Sequence, residues 1–229
     1  HPRKRKRPFA SGDLPLLHGA VLIPVLLLWA LLIALFLPAT FLLVLAAYYL
    51  TTLAYSLWLK NRVMVDVILL AALYTFRIVA GAAATGITPS FWLLAFSMFV
   101  FLSLAMVKRY AELHSVLKQN KTTAAGRGYH VDDLPLLASM GSASGYLSIL
   151  VMALFVNSED VHRLYAHPTL LWLVLPPLLF WISRIWMKTH RGEMHDDPVV
   201  FAAKDRTSLV VAALVALVFA VATGGQLTT

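Results

Sequence analysis

Cysteine is absent from this 229-residue chain. With it go disulfides, thiolate nucleophiles and cysteine-based metal sites, and the redox compartment is left undetermined. Charge is scarce as well: Asp, Glu, Lys and Arg make up 13% of the residues against 60% hydrophobic, and the mean hydropathy is +0.77. A water-soluble globule of that composition would carry large exposed apolar patches, so the sequence reads as an integral membrane protein. Acids are the scarcer sign, 11 against 19 Lys and Arg, for a formal net charge of +8. In a soluble chain that excess would raise nucleic acid as a partner. Here the cations fall between apolar runs, membrane topology accounts for them, and no nucleic acid is expected. The chain opens on His1 where an initiator Met would stand, and a cleaved, engineered or truncated product is expected. No cleavable signal peptide is visible, because the apolar stretch after the opening basic run is too long and lacks a small-residue cleavage site.

What is abundant is apolar sequence in long runs. Crossing a bilayer takes about 20 helical residues, and runs of that order occur near 16–37, 39–59, 63–85, 90–107, 134–156, 168–187 and 207–224. None alternates as a barrel strand does, and backbone groups in lipid must be satisfied internally, so seven transmembrane helices are expected. The fold class is all-α: a polytopic helical bundle forming one domain over residues 1–229, without an internal repeat. Five consecutive cations, Arg3 to Arg7, precede the first run. Placing them inside and alternating puts Lys60 and Arg62, Lys108 to Arg127, and Lys188 to Arg206 in cytoplasmic loops, and leaves Arg163 outside. That asymmetry sets the expected orientation and points to a plasma membrane with its long basic loops in the cytoplasm.

A few residues carry chemistry against this background. Arg77 lies deep in the third run, where a cation costs at least a few kcal/mol and is usually functional. Asp66 lies eleven residues earlier, about three turns, so the two share a helix face without touching and could line one pocket. The alternative for Arg77 is a packing role against a helix-end carbonyl. Tyr55 to Lys60 closes the preceding helix, where a snorkelling lysine beside a belt aromatic explains the pattern equally well. In Met106-Val107-Lys108-Arg109-Tyr110-Ala111-Glu112-Leu113, Lys108 and Arg109 precede Glu112 by four and three residues. Either the three form an intrahelical ion cluster, or they present donors and one carboxylate to a phosphate and its metal. Asp196 and Asp197 before Pro198 suit either a hard cation or a helix start. Asp132 and Asp133 favour the helix start. His114, His130, His190 and His195 lack metal-ligand spacing and are assigned to no metal. Gly141 and Gly145 form a GxxxG pattern, which permits close helix crossing.

Residues His1 to Gly12, with their Arg7-Pro8 and Ser11-Gly12 pairs, resemble the stretch that follows the first aspartate-rich motif of the UbiA superfamily of intramembrane prenyltransferases. The resemblance continues through Tyr55 to Lys60, Asp66, Arg77 and Gly81 and covers nearly the whole chain. It implies a nine-helix bundle of which seven spans lie here, with the first two helices and the first aspartate-rich, Mg²⁺-binding motif upstream of residue 1. It also implies Mg²⁺-dependent transfer with loss of diphosphate, a polyprenyl (di)phosphate lipid and a small-molecule co-substrate. Asp66 and Arg77 would then line the pocket as catalytic residues. Lys4, Arg7, Lys60, Lys108 and Arg109 would bind phosphate oxygens, and Glu112 would be a second contact for the metal. Where many members carry a second aspartate-rich motif, this chain has Lys108-Arg109-Tyr110-Ala111-Glu112, with a single acid. That pattern, with Arg191-Gly192 and Asp205-Arg206, looks closer to the branch that transfers phosphoribose from phosphoribosyl diphosphate to polyprenyl phosphate; the other reading the resemblance implies is a prenyl-group transferase with a reorganised second site. Similar sequences also occur fused to an upstream soluble domain. Residues 1–229 alone are expected to show little or no activity. An anion transporter is the rival, but the outer face offers almost no polar lining to continue a path from Arg77.

Overall fold

The computed structural model describes residues 8–120, 122–123, 128–194 and 197–224. Lys4 and Arg7 lie outside them, as do His195 and Asp196. A short α1 (Pro8–Ser11) leads into α2 (Leu16–Ala34) and α3 (Ala39–Leu57). A 3₁₀ turn, Leu59–Asn61, then joins α3 to α4 (Val65–Thr85), which is followed by α5 (Phe91–Leu117). After a 3₁₀ turn at Val131–Asp133 come α6 (Leu134–Val156) and α7 (Glu159–Leu164). A 3₁₀ segment, Pro168–Val174, opens α8 (Leu175–His190), and α9 (Pro198–Lys204) and α10 (Arg206–Ala222) complete the order. Among the described residues no strand forms beyond an isolated bridge between Thr123 and His130.

Among the described residues six helical segments are long and apolar enough to span a membrane by themselves, and α9 with α10, bent by 78°, makes a seventh if the pair crosses as one broken span. The protein is thus an all-α, multi-pass membrane protein. The fourth span departs most from its apolar run. Helix α5 continues about ten residues past 107 because its last turns bury Arg109, Tyr110 and Leu113, so packing extends a helix that hydropathy alone ends.

The chain divides into two compact units, one of His1–Ala47 with Ala80–Thr88, the other of Tyr48–Val79 with Pro89–Thr229. In the first, nearly every side chain of α2 is exposed and apolar. In the second, α5, α6 and α8 close on each other around the GxxxG pair. A Cβ at Gly141 would stand 2.3 Å from Trp186 Cζ2, and one at Gly145 would stand 2.7 Å from Ile182 Cγ2. Absence of side chains there lets the backbones approach, and hydroxyls bind what the approach exposes. Ser103 donates to the Gly141 carbonyl at 2.7 Å and accepts from Trp186 Nε1 at 3.1 Å. Ser144 donates to the Phe99 carbonyl at 2.9 Å.

Asp133 and Asp197 serve helix starts. Asp133 accepts from the His130 amide at 2.8 Å, tying down the turn that opens α6. Asp197 accepts from the Val199 amide at 3.1 Å and caps α9, with Pro198 at its first position, where a missing N–H costs nothing.

Candidate functional site at one end of the bundle

Charged side chains of the second unit gather where α4 begins, α5 ends and α8 gives way to α9. Consecutive helical positions point about 100° apart, so Lys108 and Arg109 leave α5 in different directions. Lys108 Nζ reaches across to Asp197 Oδ2 at 2.5 Å, with about a third of its side chain exposed. Arg109 turns inward and is wholly buried. Its Nη2 lies 2.6 Å from Oδ2 of Asp66, also wholly buried, and its Nη1 pairs with Glu112 one turn further along α5. Glu112 keeps 40% of its side chain exposed. A buried cation is tolerated only when carboxylates and hydrogen bonds surround it.

Tyr129 completes the arrangement. Its hydroxyl donates to Asp66 Oδ1 at 2.6 Å and accepts from the Met64 amide at 2.9 Å, while its ring centroid lies 5.6 Å from the Arg109 guanidinium. Burial, then the hydrogen bond to Asp66, push the Tyr129 hydroxyl well up from its ordinary value, so it remains a donor at any working pH. Met64 has φ of +64°, a left-handed conformation that costs a non-glycine residue free energy. The bond from its amide to Tyr129 holds that turn. Gly128, at φ +72°, lets the chain lie on the same turn: a Cβ there would stand 3.2 Å from Val63 Cγ2 and 3.3 Å from the Asn61 carbonyl.

Three further groups line this end. Tyr110 Oη lies 3.0 Å from His190 Nδ1. Arg184 grips Asp205 with two nitrogens, at 2.7 and 2.9 Å, while the same carboxylate caps α10 through the Ser208 amide at 2.9 Å. The guanidinium, then the Ser208 donors, hold the Asp205 carboxyl down at about 2. Lys60 sits half-buried in the 3₁₀ turn just before Met64.

Arg77 stands apart. It lies roughly 16 Å along α4 from Asp66 at 1.5 Å per residue, exposed, with Nη2 and Nε 3.2 and 3.4 Å from Tyr48 Oη and its guanidinium 5.0 Å from the Tyr74 ring centroid. Among the described residues it pairs with no carboxylate.

Of the residues singled out by sequence, the fold thus joins Asp66, Lys108, Arg109 and Glu112, leaves Arg77 mid-span, and splits the Lys-Arg-Glu cluster, since Lys108 pairs with Asp197 and not within α5. Tyr129 has no motif around it. Its one signal is an aromatic directly after Gly126-Arg127-Gly128 in an otherwise polar loop. The described residues do not make a magnesium site by themselves. They hold no group of three or more metal-binding side chains, Asp66 faces Arg109 and Tyr129, and Asp197 faces Lys108 and the α9 amides.

A multi-pass helical protein with paired charges collected at one end of its bundle is the class that fold and site define. The chain belongs to the UbiA prenyltransferase family, whose sequence profile matches residues 1–204. It is 41% identical over 225 residues to the uncharacterized protein y4nM of Sinorhizobium fredii, covering 97% of this chain and 43% of that one. Nodulation protein NoeC of Azorhizobium caulinodans is 33% identical over 210 residues, covering 92% of this chain and 68% of that protein. Decaprenyl-phosphate phosphoribosyltransferase of Mycolicibacterium smegmatis is 36% identical over 113 residues, 49% of this chain and 36% of the enzyme.

Proposed function

We propose that this chain supplies the membrane site of a transferase that moves phosphoribose from phosphoribosyl diphosphate to a polyprenyl phosphate. An oxygen of the lipid phosphate attacks the anomeric carbon, the bond to the diphosphate oxygen breaks, and diphosphate leaves with the bonding electrons. The reading is carried by the end of α5, where Lys108 pairs with Asp197 near the surface and the buried Arg109 is shared between Asp66 and the part-exposed Glu112. Half-length similarity to the phosphoribosyltransferases supports it.

Lys108 binds a donor phosphate oxygen by exchanging Asp197 for it, and Lys60 adds positive charge as a second point charge. Such help is needed, because Lys108 and Arg109 face three carboxylates, those of Asp66, Glu112 and Asp197. Magnesium, implied by the family resemblance, would take its main ligands from outside the described residues, with Glu112 as the contact from this end. Arg77, held by the Tyr48 hydroxyl, faces the lipid substrate. The charged end faces the cytoplasm of a bacterial cell, where a soluble sugar donor is available.

The chain spans 43% of the length of y4nM, so the assay takes the full-length protein in detergent with Mg²⁺. One arm offers labelled phosphoribosyl diphosphate with polyprenyl phosphate, the other a prenyl diphosphate with an aromatic acceptor. Sugar label entering the lipid phase is the expected result. Prenylation of the aromatic acceptor without sugar transfer contradicts the proposal.

A further inference from the structure

We infer that Met64, Tyr129, Asp66 and Arg109 form a buried relay that sets the position of the Glu112 carboxylate, which makes Tyr129, Asp66 and Arg109 positioning residues for the acid facing the donor. The inference rests on the proposed donor site. Each link is short and each inner member is shielded from water: amide to hydroxyl at 2.9 Å, hydroxyl to carboxylate at 2.6 Å, carboxylate to guanidinium at 2.6 Å, then guanidinium to Glu112. Asp66 and Arg109 are fully buried and Tyr129 is 1% exposed, whereas Glu112 is the member that reaches the surface.

The guanidinium is divided between two acids. Nη1 is aimed at Glu112, while Nη2, close as it is to Asp66, lacks the alignment of a hydrogen bond, and Nε has no acceptor among the described residues. Its position is therefore a compromise, set by how strongly each carboxylate pulls. The Tyr129 hydroxyl takes up part of the Asp66 charge and so weakens the pull from that side. Removing the hydroxyl draws Arg109 toward Asp66 and loosens Glu112. Neutralising Asp66 releases Arg109 to Glu112 and tightens it. A residue that only stabilised the fold would not move Glu112 in opposite directions in these two variants.

The test uses the full-length protein in detergent and follows carbodiimide labelling of Glu112 by mass spectrometry, which needs no turnover. Tyr129→Phe is expected to raise the labelling rate by about threefold and Asp66→Asn to lower it by a similar factor. Unchanged labelling in both variants, or a shift of the same sign in both, overturns the relay. If Asp66→Asn fails to fold, Asp66→Glu takes its place and is expected to alter Glu112 labelling, an unchanged rate overturning the inference. A double-mutant cycle on transfer activity gives the second reading. Tyr129→Phe should lower kcat in the wild-type background by about tenfold and leave it within about twofold in a Glu112→Gln background. Fully additive losses overturn the inference. Absence of sugar transfer from the wild-type protein would count against the proposed function, and labelling would still decide the relay.

Discussion

Arg109 and Arg77 both stand in long apolar helices, yet the protein treats them oppositely. Arg109 is fully buried between two carboxylates and beneath a tyrosine ring. Arg77 is exposed and, among the described residues, meets a tyrosine hydroxyl and two aromatic faces. The first arrangement fixes a cation by surrounding it with fixed opposite charge, so its removal strands acids. The second leaves Arg77 without a carboxylate partner among the described residues and available to an anion that arrives from outside them. Arg184, one-fifth exposed and bidentate on Asp205, falls between them. The three arginines therefore grade from structural support to open function.

The largest expected effect comes from Arg109→Leu. It takes a buried partner from Asp66, and breaking a buried pair costs about 3–5 kcal/mol. Thermal unfolding in detergent should register that loss, and a variant as stable as wild type would break the comparison at its buried end. Asp205→Asn comes next. The Asp205 carboxyl is held down at about 2 from an ordinary 3.8, which is worth about 2 kcal/mol at neutral pH by linkage. Because the folded value is the depressed one, that stability is present above pH 3.8 and fades as pH falls toward 2. The wild type should thus lose its advantage over Asp205→Asn across that window, and a gap that persists below it would contradict the assignment. Smallest in stability is Arg77→Leu. Cation–π and hydroxyl contacts at an exposed site contribute about 1 kcal/mol, so unfolding should shift little while turnover falls by about a hundredfold. Normal turnover in that variant would move Arg77 into the structural class.

The spans were legible in the sequence because apolar length is a local property. Runs at 39–59, 134–156 and 207–224 match α3, α6 and α10 to within two residues at either end. The helix start at Asp133 was legible too, since it needs only its neighbours, whereas Asp197-Pro198 suited a hard cation as well until α9 showed it as a cap. The end of α5 was not, because Lys108 to Leu117 is held helical by residues it meets in three dimensions. The pairings of the site were hidden for the same reason. Tyr129 meets Asp66 across 63 residues, and Lys108 meets Asp197 across 89. Sequence placed Asp66 and Arg77 on one helix face, but it could not say that α5 closes over the Asp66 end with a cation of its own.

Donor binding tests the division between the two ends most directly. The full-length protein, titrated calorimetrically with phosphoribosyl diphosphate and Mg²⁺, is compared with Lys108→Gln and Arg77→Leu. Loss of a charged phosphate contact should weaken donor binding about tenfold in Lys108→Gln, while Arg77→Leu should stay within about twofold of wild type. Equal weakening in both variants, or an unchanged affinity in Lys108→Gln, would contradict the placement of the donor at the charged end of α5.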